Sequence, residues 1–394
     1  MASVYVLGGA RTPFGSFGGS LKDVSATELG VVASQAAIHR SKVAAEQIDN
    51  VFVGNVIHTS RNASYLARHI ALRTGVPIES PALSLNRLCG SGLQAIISAS
   101  QSILLGESEL SLAVGTENMS QSPHVLRNAR FGAGLGSPEL DDMLWATLTD
   151  EYTGCGMGMT AENIAEKYGI GREEQDHFAF ESQQKAANAR KEGRFVQEIA
   201  PVMVTDKKGR QHEISTDEYV REETTLAGLS NLKPAFKKGG TVTPGNASGI
   251  NDGAAAVVVA GEAFLKHNPQ ATPLARLVSW GIAGVEPGIM GIGPVPATHI
   301  ALRRAGLTLA DIDLIEVNEA FAAQYLAVEK ELDLDRRKVN VNGGAIALGH
   351  PVGASGARIL YSLVCELHNK SKKYGVASLC IGGGQGIAMV IEAL

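Results

Sequence analysis

Four residues with chemically useful side chains stand at junctions between strand-like and helical stretches of this chain, three of them beside glycine-rich segments. Cys89 lies in "LNRLCGSGLQAIISAS", between a strand-like stretch and an apolar helical run. The other three are His350 in "NVNGGAIALGHPVGASG", Cys380 in "ASLCIGGGQG" and Asn318 in "VNEAFAAQ". A helix N-terminus and a nearby imidazole should lower the pKa of a thiol and make it a nucleophile. Glycine-rich backbone lets N–H groups approach a developing oxyanion. The set predicts carbon–carbon acyl transfer, with the second thiol moving a proton.

Each of these residues also has an ordinary structural interpretation. Cys89 and Cys380 could be small buried apolar side chains. Asn318 could cap the helix that follows it, and His350 could be a turn residue bonded to backbone. Neither glycine-rich loop fits the phosphate-binding patterns of P-loop or dinucleotide-binding folds. The chemical hypothesis therefore depends on segments that are distant in the sequence meeting in one place.

Composition and charge argue against several classes of function. The 394 residues carry a net charge of −5 with dispersed Lys and Arg, so we expect no nucleic-acid partner. Four cysteines without a CxxC pair argue against a disulfide framework and against a zinc site, and no metal is expected. Of these cysteines, Cys365 has only a core interpretation and Cys155 is undecided. Free thiols, and the lack of a signal-like segment or a long apolar run, predict a cytoplasmic protein that does not enter a membrane. The mitochondrial matrix is the alternative in a eukaryote.

An internal repeat organises the chain. Residues 37–55 align without gaps on residues 301–319, and each copy reads as helix, short loop and buried strand. The same offset of 264 places "CGSG" (89–92) on "GASG" (353–356), each before an apolar helical run. Strands that alternate with helices predict α/β layers, in which ligands bind beyond the carboxyl ends of strands. The two rims should face each other if the halves pack pseudo-symmetrically.

The repeat also suggests domain boundaries. Residues 1–120 and 273–394 would form the two α/β halves. Residues 121–250, which are rich in glycine and then in charge, would form an inserted loop domain. Residues 251–272 would complete the first half and connect it to the second.

With these motifs in view, the sequence resembles the thiolases over essentially its full length. The resemblance rests on "ARTPFGSFGGSLKD", "NRLCGSG", "GTENMS", "GTVTPGNASGINDGAAA", "EVNEAFA", "NVNGGAIALGHPVGASGAR" and "CIGGGQG" in this order. Some segments resemble mitochondrial-type 3-ketoacyl-CoA thiolases and others bacterial acetyl-CoA acetyltransferases. The resemblance implies a five-layer αβαβα fold of two similar halves, in a homodimer or homotetramer. It also implies a reversible Claisen reaction, 2 acetyl-CoA = acetoacetyl-CoA + CoA.

The resemblance implies a role for each site residue. Cys89 would carry the acyl group, His350 would accept the thiol proton, and Cys380 would take or return the α-proton. Asn318 would hold a water that forms one oxyanion hole with His350, and the N–H groups of Cys89 and Gly382 would form the other. Coenzyme A thioesters would be substrates, with no separate cofactor. The substrate contacts would be Ser248, Phe236, Arg221, Met157, Met290 and Phe321.

Acyl chain length is left open by two residues. Many acetyl-specific thiolases carry a histidine immediately before the residue matching Met157, whereas this chain has Gly156, which leaves room for longer chains. Met290 favours a shorter pocket, so a broad-chain 3-ketoacyl-CoA thiolase of fatty-acid oxidation is the alternative. A ketoacyl synthase would lack the second cysteine, Cys380. A non-catalytic acyl-CoA carrier should have lost at least one of the three reactive side chains.

Overall fold

One mixed β-sheet of ten strands, covered and divided by helices, forms the body of the molecule in the computed structural model, which describes residues 3–132 and 134–394. The strands are β1 Val4–Arg11, β2 Gly15–Ser16, β3 Asn50–Gly54, β4 Ala82–Leu85, β5 Leu110–Asn118, β6 His124–Leu126, β7 Leu140–Asp142, β8 Thr149–Asp150, β9 Cys155–Gly156, β10 Val202–Thr205, β11 Gln211–Ile214, β12 Asn251–Gly261, β13 Ala275–Gly284, β14 Leu314–Val317, β15 Tyr374–Ile381 and β16 Gln385–Ala393.

Twelve α-helices accompany these strands in the described part of the chain. They are α1 Ala26–Ser41, α2 Leu66–Arg73, α3 Ser91–Leu104, α4 Met143–Thr147, α5 Met157–Tyr168, α6 Arg172–Lys191, α7 Leu226–Ser230, α8 Glu262–His267, α9 Pro294–Ala305, α10 Ala322–Leu332, α11 Ala345–Leu348 and α12 Ser355–Asn369. None of the helices in the described ranges is long and apolar enough to span a bilayer.

The sheet has two halves that meet along a short seam. Strands β4-β3-β5-β12-β1, with the short β2 paired to β12, form one half and β13-β16-β15-β14 the other. They join where Val4, Tyr5 and Val6 of β1 pair with β13. Within the halves, β3 runs parallel to β4 and β5, and β14 runs parallel to β15. Parallel strands have their carboxyl ends on the same side of the sheet, so each half has one side on which the loops that follow these strands can gather.

Three hydrophobic cores divide the helices into layers. The central core joins α3 and α12 to both halves of the sheet. A second core packs α1 and α2 on the outer face of the first half, and a third packs α9 and α10 on the outer face of the second. Helix α12 is buried on nearly all sides, as a middle layer requires, and only Ser362, His368 and Asn369 escape burial. This is the predicted αβαβα fold of two similar halves, and the prediction is confirmed.

The two central helices cross at their N-termini because both begin with a serine–glycine pair. A Cβ on Gly92 would lie 2.7 Å from the backbone N of Ala357, and one on Gly356 would lie 2.3 Å from the backbone N of Leu93. Only glycine permits backbone contact this close. The crossing brings together the loop before α3, which carries Cys89, and the loop before α12, which carries His350.

The segment between β5 and β12 is built differently from the layers. It holds three short hairpins, β6–β7, β8–β9 and β10–β11, and helices α4 to α7. Helices α5 and α6 contribute Ile164, Phe178 and Ala179 to the outer core of the second half. A segment inserted into the first half thus packs on the second. The boundaries of the insertion at 121 and 250 remain a prediction.

Candidate active site

The reactive side chains meet in one cavity of about 670 Å³. Cys89 follows β4, His350 precedes α12, and Cys380 lies near the carboxyl end of β15, and all three line it. Cys89 is more than 260 positions away from His350 and Cys380 in the sequence, and the fold brings its side chain into the same cavity as theirs. The volume lies within the range of about 300–1,000 Å³ that is typical of pockets for small ligands.

A strained turn presents the thiol of Cys89. Leu88, the preceding residue, has φ +48, which is uncommon for a residue with a branched side chain. Its N–H donates to Asn86 Oδ1 at 2.8 Å, and the Ser91 hydroxyl donates to its carbonyl at 2.7 Å. The N–H groups of Gly382 and of Cys89 itself are both directed at the sulfur. The turn therefore places the thiol under two backbone donors that could hold an oxyanion.

The expectation that Cys89 has a lowered pKa is wrong. Although the residue as a whole is only partly buried, protein surrounds its thiol, and this loss of hydration raises the pKa to about 11. The two N–H groups act in the opposite direction, and the Glu117 charge adds to the increase. A free enzyme at neutral pH therefore holds a protonated thiol, which must transfer its proton when it reacts.

His350 is held as a neutral base. Ser355 Oγ lies 2.6 Å from His350 Nδ1 and 3.0 Å from the Pro351 carbonyl oxygen. A hydroxyl that donates to this carbonyl accepts from Nδ1–H, so the lone pair of the neutral imidazole is on Nε2. Burial, and next the Arg358 charge, lower the pKa of His350 to about 3. The imidazole is therefore uncharged at neutral pH and can accept a proton.

Asn318 contacts His350 from the end of β14 and is only 1% exposed. Its Nδ2 lies 3.4 Å from His350 Nε2 and 3.5 Å from Nδ1. Its buried Oδ1 has no hydrogen-bond partner within residues 3–132 and 134–394. Asn318 does not cap α10, whose N-cap is Phe321. The amide of Asn318 thus lies beside the imidazole, and its Oδ1 can still accept a hydrogen bond. Asn318 is not one of the residues that line the cavity.

Cys380 lines the same cavity from β15. It is 1% exposed and packs in an apolar cluster with Met157, Met290 and Phe321. Burial, and next the charge of Cys89, which lines the same cavity, raise its pKa. The neighbouring Gly382 lies against Met157, where an added Cβ would be 3.2 Å from the thioether sulfur. Because Gly382 has no side chain, its backbone can lie close to both Met157 and the Cys89 sulfur.

The remaining predicted contact residues surround the mouth of the cavity. The Phe236 ring meets the Phe321 ring edge-on, with centroids 6.2 Å apart, and Arg221 lies over the Tyr219 ring at 4.9 Å. Ser248 is tied to the loop after Asn318 by its N–H, which donates to the Ala320 carbonyl at 2.9 Å. Phe236, Arg221 and Ser248 all line the cavity.

A second apolar lobe adjoins Cys89 and was not predicted from the sequence. Met119, Val352, Leu148 and Ile250 cluster with Leu88 and Cys89, and Trp145 lines the same space. Gly156 borders this lobe, and a Cβ there would meet no atom closer than 3.8 Å. The sequence signal was the departure at Gly156, which predicted room without showing which side chains enclose it.

The supporting residues of the site also escaped the sequence analysis. Ser355 holds the imidazole, and Asn251 Oδ1 accepts the backbone N–H of His350 at 2.9 Å. The repeat could have indicated Ser355, because it occupies the position of Ser91 in the first half. Cys155 lies beside the cavity in β9 and Cys365 is buried in α12, and neither is a lining residue. No group of His, Cys, Asp and Glu in the described ranges could hold a metal ion.

A thiol under two N–H donors, a neutral imidazole and a second thiol define a cysteine-dependent acyltransferase site. Comparison with known proteins identifies the family. Models of the thiolase N-terminal domain and the thiolase C-terminal domain match residues 4–263 and 271–393. The chain belongs to the thiolase family and is an acyltransferase, as the sequence predicted.

Individual thiolases match along the whole chain. Human mitochondrial 3-ketoacyl-CoA thiolase is 55% identical over 395 residues, covering 100% of this chain and 99% of the relative. An acetyl-CoA acetyltransferase of Cupriavidus necator is 50% identical over 393 residues, covering 100% of both. The crystal structure of the human mitochondrial enzyme in complex with CoA matches with a TM-score of 0.96 and 53% identity, covering 100% of this chain and 99% of that one.

Proposed function

We propose that this thiolase converts a 3-ketoacyl-CoA and CoA into acetyl-CoA and an acyl-CoA two carbons shorter, reversibly, through acyl-Cys89. Condensation of two acetyl-CoA molecules to acetoacetyl-CoA and CoA is the shortest case of the reverse reaction. The observation that carries the proposal is that Cys89, His350 and Cys380 line one cavity. The second thiol favours a thiolase over a ketoacyl synthase, and the presence of all three residues favours an enzyme over a carrier.

In the first half-reaction the Cys89 thiol gives its proton to His350 and its sulfur attacks the 3-keto carbon. The neutral imidazole, with Nδ1 held by Ser355, has a lone pair on Nε2 for this proton. The oxyanion would form beneath the N–H groups of Cys89 and Gly382, which already face the sulfur. The C2–C3 bond then breaks, leaving acyl-Cys89 and the enolate of acetyl-CoA.

Cys380 supplies the proton that the enolate carbon needs. Its strongly raised pKa keeps it a thiol until a carbanion forms beside it, and the reverse reaction returns the proton to its sulfur. In the second half-reaction the CoA sulfur attacks the thioester carbon of acyl-Cys89, and the bond between that carbon and the Cys89 sulfur breaks to release the shortened acyl-CoA. The CoA thiol proton restores Cys380, and His350 returns its proton to the Cys89 sulfur. Asn318, beside His350, would hold the water that helps to stabilise the enolate oxygen, using its amide oxygen, which has no hydrogen-bond partner among the described residues.

The CoA portion would enter through the mouth of the cavity. The human relative has been crystallised with CoA, and the lining residues here suit the same ligand. The aromatic Phe236 offers a face to the adenine side, Ser248 to the pantetheine, and the Arg221 guanidinium a positive charge near the nucleotide. No further cofactor enters the proposed reaction.

Among thiolases, the apolar lobe beside Cys89 favours substrates longer than acetoacetyl-CoA. It begins at the thiol that carries the acyl group, and Gly156 leaves it open. Each methylene buried there would contribute about 0.8 kcal/mol, or roughly fourfold in kcat/KM. Similarity to 3-ketoacyl-CoA thiolase and to acetyl-CoA acetyltransferase is compatible with both chain lengths, and the first relative has the higher identity.

Steady-state thiolysis of 3-ketoacyl-CoA substrates of increasing length tests this preference. We expect kcat/KM to be at least as high for a medium chain as for acetoacetyl-CoA. A preference of several hundredfold for acetoacetyl-CoA would contradict the broad-chain proposal. Gly156→His should lower kcat/KM for the medium chain by about tenfold or more, through loss of several buried methylenes, and should spare acetoacetyl-CoA. Gly171→His, at an exposed glycine with open space around it, is the matched control.

Assembly and location complete the proposal. Leu126, Phe131, Leu140 and Tyr152 are exposed on the inserted segment, and β4 is an edge strand with Leu83 half exposed. Apolar patches and open strand edges of this kind are typical of oligomer contacts, which supports a homodimer or homotetramer. The human relative is named as mitochondrial, so the matrix alternative gains support and the cytoplasmic location stays a prediction.

A further inference from the structure

Glu117, at the end of β5, is a carboxylate without any exposed surface. Its Oε1 accepts hydrogen bonds from Asn55 Nδ2 and the Ile57 N–H, each at 3.0 Å. Its Oε2 accepts the N–H groups of Val56 and Gly353, also at 3.0 Å. No Lys or Arg of the described ranges forms an ion pair with it. Burial raises the pKa of Glu117 to about 8, and the three backbone N–H donors act in the opposite direction because they favour the charged form. Four donors that converge on one buried carboxyl indicate a specific purpose.

Three of these bonds, those from residues 55–57, lead to the nucleophile. The backbone of residues 55–57 that binds Glu117 also offers the Val56 carbonyl to Asn86 Nδ2 at 3.2 Å. Asn86 in turn accepts the N–H of Leu88, the strained residue before Cys89. The side chains of Val56 and Ile57 pack in the same cluster as Cys89. The position of Glu117 is therefore transmitted to the thiol through one hydrogen-bonded chain and one apolar contact.

The remaining bond leads to the base. Gly353 follows His350 by three residues, in the loop that ends at α12. A Cβ at Gly353 would lie 2.6 Å from Glu117 Oε2 and 2.7 Å from the Thr116 carbonyl oxygen, so only glycine lets this N–H reach the carboxylate. The loop belongs to the second half of the molecule, whereas Glu117 belongs to the first. The carboxylate thus bridges the two halves beside the reacting groups.

We propose that Glu117 is a positioning residue for catalysis, whose carboxylate holds the Cys89 loop and the His350 loop in one fixed frame. The inference deepens the proposed function and rests on it. Each carboxylate oxygen accepts two donors, and an amide could satisfy only one of these two pairs. In Glu117→Gln, the NH₂ group would oppose the donors of one loop or both, and the thiol and imidazole would lose their relative placement.

Two readouts separate positioning from a merely structural role. Above pH 8, where the Glu117 carboxyl is ionised, we expect Glu117→Gln to lower kcat by about 30-fold or more, with KM for CoA within threefold, because the residues that would bind CoA are not attached to Glu117. The Glu117 charge helps to raise the pKa of Cys89. Its removal should therefore move the pH midpoint of Cys89 alkylation by iodoacetamide to lower pH, by about 0.5 or more. If the Cys89 thiol ionises more readily while kcat of the variant falls, the loss of activity comes from the position of the thiol and not from its pKa.

Asp49→Asn is the matched control. Asp49 accepts the N–H groups of Glu109 and Leu110 at the start of β5, the opposite end of the strand from Glu117. This variant should leave the alkylation midpoint unchanged. Asn55→Ala, which removes one donor to Glu117, should lower kcat by about threefold, and it remains informative if Glu117→Gln does not fold.

An unchanged kcat in Glu117→Gln would overturn the inference, and so would an unchanged alkylation midpoint in that variant. If Glu117→Gln does not fold, an unchanged kcat in Asn55→Ala would overturn it. A wild-type enzyme without thiolysis of any 3-ketoacyl-CoA would instead refute the proposed function. Alkylation requires no turnover, so its midpoint distinguishes the two failures.

Discussion

The two halves of the molecule share a framework and differ in what they place on it. With the offset of 264, α3 and α12 both begin with a serine–glycine pair, and β5 superposes on β15 in the sequence. Cys89 corresponds to Gly353, and Cys380 corresponds to Thr116. The first half thus supplies the thiol at a helix N-terminus, and the second supplies the thiol at a strand end. A symmetric scaffold thus provides two similar rims, and a few side chains make them chemically different.

The supporting residues diverge in the same way. Ser91 uses its hydroxyl on the backbone of its own turn, accepting the Arg87 N–H and donating to the Leu88 carbonyl. Ser355, at the equivalent position, holds an imidazole through Nδ1. Asn86 corresponds to His350, and it bonds only to backbone. The first half therefore stabilises a turn where the second half orients a base.

The largest effect on activity should come from removing one of the two thiols, Cys380, while keeping the other, Cys89. Cys380→Ala should lower condensation of acetyl-CoA about 10³-fold, because proton transfer to or from carbon would lose its acid and base. Transfer of an acetyl group from acetyl-CoA to Cys89 should continue, because it involves no carbon acid. Rapid-quench measurement of acyl-enzyme formation beside steady-state condensation checks both. Cys365→Ala, a buried thiol away from the cavity, is the control, and loss of acylation in Cys380→Ala would show that the roles are not divided.

A smaller effect should follow from removing the hydroxyl that orients the base. Ser355→Ala leaves Nδ1 of His350 without its partner, and the loss of one hydrogen bond of about 1.4 kcal/mol predicts roughly a tenfold lower kcat. Ser100→Ala is a matched control, because Ser100 Oγ donates to the Ile96 carbonyl, four residues earlier, as Ser355 Oγ does to Pro351. The control should stay within twofold in a steady-state thiolysis assay. Equal losses in both variants would mean that the hydroxyl acts on the helix and not on the imidazole.

Much of the fold and the main reactive residues could be predicted from the sequence, because local patterns encode them. The offset of 264 revealed the two halves, and the glycines at positions 92 and 356 marked where their helices begin. The order of the motifs predicted that Cys89, His350 and Cys380 belong to one site. These are properties of residue type and spacing, which a single sequence displays.

What the sequence could not show depends on the surroundings of each group. The pKa of Cys89 was expected to fall because of the helix N-terminus, but burial of the thiol raises it to about 11. Glu117 stands in a motif that the sequence displays plainly, yet its four donors come from segments on both sides of the molecule. The apolar lobe beside Cys89 likewise combines residues from several distant loops. Desolvation and convergence of this kind emerge only in three dimensions.

The central claim is that the thiol at the helix N-terminus, and not the one at the strand end, carries the acyl group. The most direct test incubates the protein with acetyl-CoA, quenches it in acid, and locates the acetyl group by mass spectrometry of the digested peptides. We expect one acetyl group per chain on the peptide that contains Cys89, and none when Cys89 is replaced by alanine. An acetyl group on Cys380, or a Cys89→Ala variant that still forms the thioester, would contradict it.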